Sequence, residues 1–309
     1  MTVQAKVGVV LLNWNSGDFT ISCIESLLAM TYSPWRVVVF DNGSTDGSCD
    51  EIGHKFPQIF LMQNDKNVGF ARGNNIGIQK LLAEGADYIW VLNNDTVVEP
   101  TCLEQLMIAA KSDRRIAAVG AKILYADPPH TIWYAGARLN PFMFSAPHDG
   151  VGKAVTFGPK KIVQVDFVTG CSMLIPRHAL AQVGLFDEKF FAYDEDFDWC
   201  LRVRQHGLRL VYAPQAVLYH KVSASMRRNT LGQSKGSASS VAYYLITRNF
   251  FWVVHKHAKP WQTITAILIR MILISYLSAG MIILWRWEKL FALWHGVRDG
   301  LAAWAVRPV

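Results

Sequence analysis

Several common signatures are missing from the 309-residue sequence, and each absence excludes a class of protein. No G-x-G-x-x-G motif follows the first apolar run, which ends in NWNSGD, and no G-x-x-x-x-G-K-[ST] motif occurs. These absences argue against a nicotinamide enzyme and against a P-loop ATPase. The five cysteines form no C-x-x-C pair. They therefore predict reduced thiols in a cytosolic setting, with no disulfide or zinc framework.

A secretory signal peptide is also missing. In the amino-terminal stretch MTVQAKVGVVLLNWN, one lysine is followed almost at once by an apolar run and then by polar residues. We therefore expect this part of the chain to stay in the cytoplasm. The net charge of +7 favours an anionic partner, namely membrane lipid, a phosphate-bearing substrate or nucleic acid. No DNA- or RNA-binding motif is present, so we expect no nucleic-acid partner.

Apolar runs alternate with segments of helical spacing over the first 120 residues. The runs are 7–12, 36–40, 59–62, 88–92 and 116–121. The helical segments are about 18–30, 46–56, 73–84 and 101–112. Continuous hydrophobicity indicates strands that are buried on both faces, and in a β-α-β series such strands form a parallel sheet between helices. The pattern predicts a doubly wound α/β domain.

Three of these predicted strands end in polar clusters, at residues 13–15, 41–44 and 93–96. Ligands of open α/β sheets bind beyond the carboxyl ends of the strands, so the three clusters should face one crevice. Asn, Asp and Gly at strand ends also form turns and helix caps, and that interpretation is favoured for any one cluster alone. Three clusters in succession favour a ligand site.

The second half is less regular at residues 122–165, where prolines and glycines are frequent, and it then contains a predicted strand at 165–176. Four acids precede a predicted helix that ends near Gly207; they are Asp194, Glu195, Asp196 and Asp198. Helix capping and an i,i+4 pair between Asp198 and Arg202 would explain one or two of them, but not four.

A basic segment rich in serine and glycine covers residues 223–240. It is either a flexible linker or a loop that brings Arg227 and Arg228 onto a phosphate.

Eight segments carry a more specific pattern. They are VVLLNWNSGD, VVFDNGSTDGS, NDKNVGFARGNNIGI, YIWVLNNDTVVEP, FVTGCSMLIPR, GLFDEKFFAYDEDFDWCLRVRQHG, the histidine of VLYHKVSASM, and YYLITRNFFWVVHKH. In this order and spacing, over about residues 5–255, they resemble the family-2 glycosyltransferases and are closest to the bacterial rhamnosyltransferase-type members. The resemblance implies the α/β GT-A fold, a doubly wound mixed sheet.

The resemblance also implies a nucleotide site. Asp41 matches the acid that holds the base of the donor nucleotide, and Asn13 lies where the family lines the same pocket. Asn67, Gly69 and Asn75 fall in the stretch that packs near the nucleotide.

A metal site is implied as well. Asp95 matches the last acid of the D-x-D motif, which binds the metal on the donor diphosphate, and His220 matches a histidine that completes the metal shell in several relatives. Asn93 replaces the first acid, as in rhamnosyltransferase-like members, and we group it with the nucleotide-binding residues. Phosphate oxygens supply most ligands of Mg²⁺ or Mn²⁺, so one carboxylate suffices, and a histidine favours Mn²⁺. From sequence alone, a core histidine that bonds a carbonyl is the favoured interpretation of His220, and the match to the family shifts the balance slightly to the ligand role.

The catalytic base implied by the resemblance is Asp196, the second acid of an adjacent pair, with Glu195 as its rival. A carboxylate that takes the proton of the acceptor hydroxyl lets this oxygen attack the anomeric carbon directly, and the configuration is then inverted.

The carboxyl-terminal part is apolar: residues 261–285 contain one charged residue, Arg270. A helix of this length would span a bilayer core of about 30 Å. Basic residues on both flanks give no orientation, so a span competes with an in-plane helix, and an apolar helical pair that packs on protein is the alternative.

We therefore expect a GT-A catalytic domain at 1–240, with a nucleotide-binding half at about 1–120 and an acceptor half at about 121–240, and a membrane-associating helical region at 241–309. The expected activity is inverting transfer of a sugar from a dTDP- or UDP-sugar, with dTDP-rhamnose favoured, to a lipid-linked glycan on the cytoplasmic face of the membrane. An inactive nucleotide-sugar-binding protein is the alternative. Oligomerisation is left open.

Overall fold

The computed structural model describes residues 4–221 and 239–305, so Arg227 and Arg228 lie outside the described residues. These residues divide into two compact units. The catalytic unit holds residues 4–138, 148–191 and 195–221, and the helical unit holds residues 139–147, 192–194 and 239–305. Two short segments from the predicted catalytic domain therefore group with the carboxyl-terminal helices.

The strands of the described residues belong to one sheet of the catalytic unit. They are β1 (Val7–Asn13), β2 (Trp35–Asp41), β3 (Phe60–Gln63), β4 (Tyr88–Asn93), β5 (Thr96–Val98), β6 (Ile116–Tyr125), β7 (Ile132–Tyr134), β8 (Val163–Val165), β9 (Ser172–Pro176) and β10 (Arg209–His220). Their order is β3-β2-β1-β4-β9-β6-β10-β5, with β7 beside β6 and β8 beside β10.

Strand direction makes the sheet mixed. The pairs β3–β2, β2–β1 and β1–β4 are parallel, as the sequence predicts. Strand β9 lies between β4 and β6 and is antiparallel to both, and β5 is antiparallel to β10. An apolar run shows that a strand is buried but does not show its direction, which depends on the connections.

The predicted strand at 165–176 is wrong in extent, because the chain turns within it. β8 ends at Val165 and β9 begins at Ser172. Between them, the backbone N–H of Ser172 donates to the carbonyl oxygen of Thr169 at 3.2 Å. The resulting turn, residues 169–171, lies beside Asp196, the predicted catalytic base.

Helices follow most strands. They are α1 (Gly17–Leu28), α2 (Ser48–Lys55), α3 (Phe70–Ala83), α4 (Cys102–Lys111), α5 (Arg177–Val183), α6 (Glu195–Gln205), α7 (Ser240–His257), α8 (Pro260–Ile283) and α9 (Trp287–Ala305). A short 3₁₀ turn, Glu188–Phe190, precedes α6. Helix α6 begins earlier than the acid pattern suggests, so that Glu195, Asp196 and Asp198 all lie in its first turn.

Two glycines let α3 approach β1 closely. A Cβ atom at Gly73 would lie 2.4 Å from Cδ1 of Leu12, and one at Gly77 would lie 2.6 Å from Cγ1 of Val10. Both distances are shorter than real Cβ contacts, so these positions accept no side chain without movement. The helix therefore packs directly on the central strand, and its amino-terminal end is set near the carboxyl edge of the sheet.

The helical unit contains the apolar segment as helix α8. Within the described part of the chain, α8 is the one helix that is long and apolar enough to cross a membrane, and 22% of its most apolar window is buried. Ile272 and Tyr276 are 71% and 76% exposed. The guanidinium of Arg270 lies over the Phe250 ring at 4.7 Å and donates to the carbonyl oxygen of Ile246 at 3.3 Å, so the one charge of this segment points toward α7.

Candidate active site

The parallel register places three of the predicted site residues on one edge of the sheet. Asn13 pairs with Asp41 across β1 and β2, and Leu12 pairs with Asn93 across β1 and β4. The ends of β1, β2 and β4 are therefore level, and their polar residues open on the same side. The strand register therefore confirms that the three polar clusters lie at one edge of the sheet.

Asn13 and Asp41 form a buried hydrogen-bonded pair. Both side chains are 0% exposed, and Nδ2 of Asn13 donates to Oδ1 of Asp41 at 2.7 Å. The other carboxylate oxygen accepts from the backbone N–H of Ser44 at 3.0 Å, and Oδ1 of Asn13 accepts from the hydroxyl of Thr20 at 2.7 Å. Together they anchor the loop after β2. The role of Asp41 and Asn13 toward a nucleotide base stays a prediction.

A second amide network joins this loop to the start of α3. Nδ2 of Asn42 donates to Oδ1 of Asn67 at 3.0 Å, and the same oxygen accepts from the backbone N–H of Gly69 at 2.9 Å. Gly69 has φ +91°, and a Cβ there would lie 2.6 Å from the carbonyl oxygen of Phe191. Asn67 and Gly69 thus shape the loop that faces the sheet edge.

Asn75 lies deeper than its assignment to the nucleotide-binding residues suggests. Its side chain is 2% exposed and bonds the backbone of Phe186 in both directions, through Nδ2 to the carbonyl oxygen at 2.9 Å and from the N–H to Oδ1 at 3.1 Å. Nδ2 also donates to Glu188 at 3.1 Å. These contacts tie α3 to the segment that leads to α6.

Asp95 and His220 meet because β5 and β10 pair, with Thr96 opposite His220. Nε2 of His220 lies 3.0 Å from Oδ1 of Asp95, and both side chains are buried. The two groups form an ion pair when the imidazole is protonated, and among the described residues Oδ1 of Asp95 has no other hydrogen-bond partner. Oδ1 of Asn93 is likewise buried without a partner there.

The Asp95 carboxylate and the His220 imidazole are groups that a divalent cation accepts as ligands. The described residues contain no group of three or more His, Cys, Asp and Glu that could hold a metal ion. A cation on a diphosphate needs no such cage, because phosphate oxygens complete its shell.

Electrostatics tie the His220 imidazole to its neighbours. Burial lowers the pKa of His220, and the Cys171 and Asp95 side chains raise this pKa by more, so the imidazole binds a proton more tightly than usual. A cation on this nitrogen would replace that proton. The core-histidine interpretation, in which the ring bonds a carbonyl, does not match these contacts.

Aromatic rings line the other side of His220. The Trp133 ring packs edge-on against the His220 ring with centroids 4.6 Å apart, and it makes the same kind of contact with His148. Burial lowers the pKa of His148 to about 4, so this imidazole is neutral at physiological pH. The rings hold His220 in one orientation.

The turn at residues 169–171 connects the Asp95 side of the site to Asp196. The backbone N–H of Gly170 donates to Oδ2 of Asp196 at 2.7 Å, and the carbonyl oxygen of Cys171 accepts from the N–H of Asn93 at 3.0 Å. Burial raises the pKa of the Cys171 thiol, and the charges of His220, Asp95 and Asp196 also act on it. The Cys171 thiol is therefore close enough to the predicted metal pair and to the predicted base for their charges to act on its pKa.

The two rival acids differ in environment. Asp196 is partly exposed, and its Oδ1 accepts from the N–H of Phe197 at 2.8 Å. Burial raises the pKa of Asp196, against the opposing effect of the backbone N–H groups. Glu195 is 4% exposed. The structure therefore presents Asp196 at the surface of the site.

Asp198, the third acid of α6, is structural. It is 0% exposed and accepts from Nε of Arg202 at 2.9 Å, which confirms the i,i+4 pair. Arg202 also donates to the carbonyl oxygens of Val183 and Leu185, each at 2.7 Å.

Several site residues are missed by the sequence interpretation. Asn42 and Ser44 lie within the polar cluster at residues 41–44, in which only Asp41 is assigned a role, so the sequence carries a signal for them. Gly170 and Lys221 carry no such signal. The N–H of Lys221 donates to the carbonyl oxygen of Asp95 at 2.8 Å, and its ammonium group donates to Ser22 at 2.9 Å.

Comparison with known proteins gives a consistent family. A family model described as "Glycosyltransferase like family 2" matches residues 5–235. The chain is 28% identical over 265 residues to an N-acetylglucosaminyl-diphospho-decaprenol L-rhamnosyltransferase of Mycobacterium tuberculosis, which covers 79% of this chain and 85% of that protein. It is 26% identical over 253 residues to the O-antigen biosynthesis protein RfbC of Myxococcus xanthus, over 77% of this chain and 19% of that protein.

Solved structures show the same fold at low sequence identity. GalNAc-T7 with UDP, GalNAc and Mn²⁺ superposes with a TM-score of 0.63 at 17% identity, over 82% of this chain and 48% of that one. This chain therefore spans about half of GalNAc-T7. The mannosyltransferase PcManGT of Pyrobaculum calidifontis, in complex with GDP-Man and Mn²⁺, superposes with a TM-score of 0.55 at 14% identity, over 97% of this chain and 88% of that one.

Proposed function

The chain belongs to the glycosyltransferase-like family 2 and has the GT-A fold, and from this membership and the site geometry we propose that it transfers a sugar from a nucleoside-diphosphate donor to a lipid-linked glycan with inversion. The observation that carries the proposal is the turn at residues 169–171. Through Gly170 it holds Asp196, and through Cys171 it holds Asn93, two positions before Asp95. The turn thus links the candidate base, Asp196, to the end of the strand that precedes Asp95, the candidate metal ligand.

Asp95 and His220 are the residues that would hold a divalent cation, Mg²⁺ or Mn²⁺. When bound, such an ion neutralises charge that develops on the diphosphate. The imidazole ligand favours Mn²⁺, and the Mn²⁺ in the GalNAc-T7 and PcManGT structures supports divalent metal use.

The nucleotide is proposed to lie along the edge formed by β1, β2 and β4. Asn13 and Asp41 hold the loop after β2 and are the candidates for the base-binding end, while Asn67 and Gly69 shape the opposite wall. Asn93, whose Oδ1 has no partner in the described part of the chain, would face the sugar or the diphosphate. Asn75 supports this wall from behind rather than by direct contact.

Asp196 is proposed as the general base. The acceptor hydroxyl oxygen forms a bond to the anomeric carbon as the bond from that carbon to the diphosphate oxygen breaks. The nucleoside diphosphate leaves with the electron pair, and the hydroxyl proton passes to the Asp196 carboxylate. A raised pKa suits this role, because a more basic carboxylate takes a proton more readily.

The relatives favour a particular donor and acceptor. The M. tuberculosis protein is, by name, an L-rhamnosyltransferase that acts on N-acetylglucosaminyl-diphospho-decaprenol, and the match extends over 85% of its length. We therefore favour dTDP-rhamnose as donor and a polyprenyl-diphosphate glycan of a surface polysaccharide as acceptor.

The helical unit is proposed to bind the membrane on its cytoplasmic face, so that a lipid-linked acceptor is within reach. Helix α8 exposes large apolar side chains along most of its length, including Ile264, Leu268, Ile272 and Ile283. This supports our division into a catalytic domain at 1–240 and a membrane-associating region at 241–309.

The proposal is tested with the purified full chain, Mn²⁺, and a panel of dTDP-, UDP- and GDP-sugars, with and without a polyprenyl-diphosphate N-acetylglucosamine acceptor. We expect dTDP-rhamnose to give a glycosylated lipid that carries rhamnose. Turnover of another donor would reassign the sugar. Donor binding without transfer to any acceptor would support the inactive binding protein instead.

A further inference from the structure

The four residues before the acidic pair adopt an unusual backbone. In this segment, residues 191–194, Phe191, Tyr193 and Asp194 have φ of +67°, +68° and +64°. L-residues rarely occupy this region, and a cluster of them persists only where surrounding contacts hold it. Phe191 has ψ −64°, the conformation of a strained γ-turn. We call residues 191–194 the strained segment.

The beginning of the strained segment is held by α3. The carbonyl oxygen of Phe191 accepts from the backbone N–H groups of Phe70 and Ala71 at 2.6 and 3.1 Å. These N–H groups are among the first of the helix and have no partner within it. The contact therefore stabilises the helix start as well as the turn.

The rest of the strained segment is held by Asn249 within the helical unit. Nδ2 of Asn249 donates to the carbonyl oxygens of Ala192 and Tyr193 at 2.8 and 2.7 Å. Asn249 lies on α7 and is 0% exposed. Two consecutive carbonyls thus bond to one amide nitrogen, which fixes the direction of the peptide between them.

The amide of Asn249 cannot exchange its ends. Oδ1 accepts from Nε and Nη2 of Arg248 at 3.0 and 2.8 Å. The guanidinium is itself held over the Trp252 ring, 4.1 Å from its centroid. Because both donors of Nδ2 and the oxygen all have partners, the side chain acts as a rigid clamp.

The Asn249 clamp affects Glu195 and Asp196 through the backbone, because these two residues directly follow the strained segment. Helix α6 begins at Glu195, the residue directly after the strained segment, and Asp196 is the next residue. The direction in which the helix starts sets where the Asp196 carboxylate points. The backbone N–H of Gly170 donates a hydrogen bond to Oδ2 of this carboxylate at 2.7 Å. We propose that Asn249 is a positioning residue that orients Asp196 for proton transfer through the backbone of residues 192–194. This inference rests on the proposed function, since it takes Asp196 as the base.

An isosteric substitution separates positioning from folding. Asn249→Asp keeps the shape and an oxygen that accepts from Arg248 but replaces the donors of Nδ2 with an oxygen that repels the two carbonyls. Thr247→Val is the matched control, because Thr247 is 1% exposed on the same helix and the change is equally isosteric. Each variant is measured as the full chain with Mn²⁺, for kcat, for the dissociation constant of the donor and for the unfolding midpoint.

We expect Asn249→Asp to lower kcat about 10- to 100-fold, as small misplacements of catalytic groups do, with the donor dissociation constant within about twofold of wild type. Thr247→Val should match wild type in both. A kcat for Asn249→Asp within about twofold of wild type would overturn the inference. So would a parallel loss of kcat, donor affinity and unfolding midpoint, because Asn249 would then be a structural residue only. Asp196→Asn, measured in parallel, tests the base itself: if that variant keeps full transfer, the proposed base fails whatever Asn249 shows.

Discussion

Nε2 of His220 lies 3.0 Å from Oδ1 of Asp95, although the two residues are 125 positions apart in the chain. The pairing of β5 with β10 brings them together. Next to this pair, the backbone N–H of Lys221 donates a hydrogen bond to the carbonyl oxygen of Asp95. Oδ1 of Asp95 is buried and, within the described ranges, has no other hydrogen-bond partner. The carboxylate of Asp95 is thus paired with the imidazole of His220, the other residue proposed to hold the cation.

Removing this carboxylate should abolish metal-dependent donor binding. Asp95→Ala takes away the one anionic ligand, so we expect affinity for the donor in the presence of Mn²⁺ to fall at least about 100-fold, at the upper end of the effects of metal-site changes. Isothermal titration with the dTDP-sugar measures this. Asp50→Ala, an exposed acid in the first turn of α2, is the control and should bind normally. Equal affinity in the two variants would remove Asp95 from the metal site.

The two adjacent acids should respond differently to neutral isosteres. Asp196→Asn should leave donor binding intact and lower kcat about 1000-fold, within the usual contribution of a general base. Glu195→Gln, at the buried neighbour, should have a smaller effect on kcat. Steady-state kinetics of both variants decide the assignment, and the opposite order of effects would transfer the base role to Glu195.

The acid side of the pH profile should report the Asp196 carboxyl. The base must be ionised, and burial raises its pKa, so kcat/KM should fall as the pH drops through a pKa above the ordinary value of an aspartate. Activity is present above that pKa and is lost below it. The residual activity of Asp196→Asn should lack this limb. A limb that persists unchanged in the variant would assign it to another group.

The buried pair of α6 should matter for stability. Asp198→Ala removes a 0% exposed carboxylate and leaves the Arg202 guanidinium, which is 16% exposed, without its counter-charge, so we expect a loss of about 3–5 kcal/mol in the free energy of unfolding. Glu25→Ala breaks the exposed pair with Lys55 and should cost less than about 1 kcal/mol. Urea unfolding of both variants is the measurement. Similar values for the two would contradict the structural role of Asp198.

Charges on the exposed face of α8 should weaken membrane binding. Ile272 and Tyr276 are 71% and 76% exposed. Glutamate at both positions would place negative charge on the face of α8 that we propose contacts lipid. We expect co-sedimentation with phosphatidylglycerol-containing vesicles to fall at least about tenfold, given a cost of a few kcal/mol for each charge. Ile108→Glu, at a 52% exposed site on α4, should bind vesicles normally. Unchanged binding of the double variant would favour helices that pack on protein.

The parts of the fold that were predictable follow from local patterns. Continuous apolar runs identify β1, β2 and β4, because strands covered on both faces have no polar positions to interrupt them. The polar residues at the ends of these strands mark the site, because ligands of open α/β sheets bind beyond the carboxyl ends of the strands. The direction and place of β9 were not predictable, since its pairing with β4 and β6 is set by residues far apart in sequence.

The parts of the site that were missed depend on backbone geometry. Gly170 binds Asp196 through an N–H group, which every non-proline residue has, so its sequence carries no signal. The left-handed residues Phe191 and Tyr193 are likewise invisible to pattern, because aromatic residues do not favour that conformation. In the sequence, Asn249 is a single amide among apolar residues. Its role could not be predicted, because the two carbonyl oxygens that it binds belong to residues more than 50 positions away.

The most direct test of the central claim is the fate of the donor in the presence of acceptor, followed by nuclear magnetic resonance of the product. Wild-type protein with Mn²⁺ should release nucleoside diphosphate and form a glycosidic bond of anomeric configuration opposite to that of the donor, and chelation of the metal should stop both. Retained configuration would contradict direct displacement by the hydroxyl whose proton passes to Asp196. Failure of every nucleotide sugar to bind or turn over would contradict the enzyme itself.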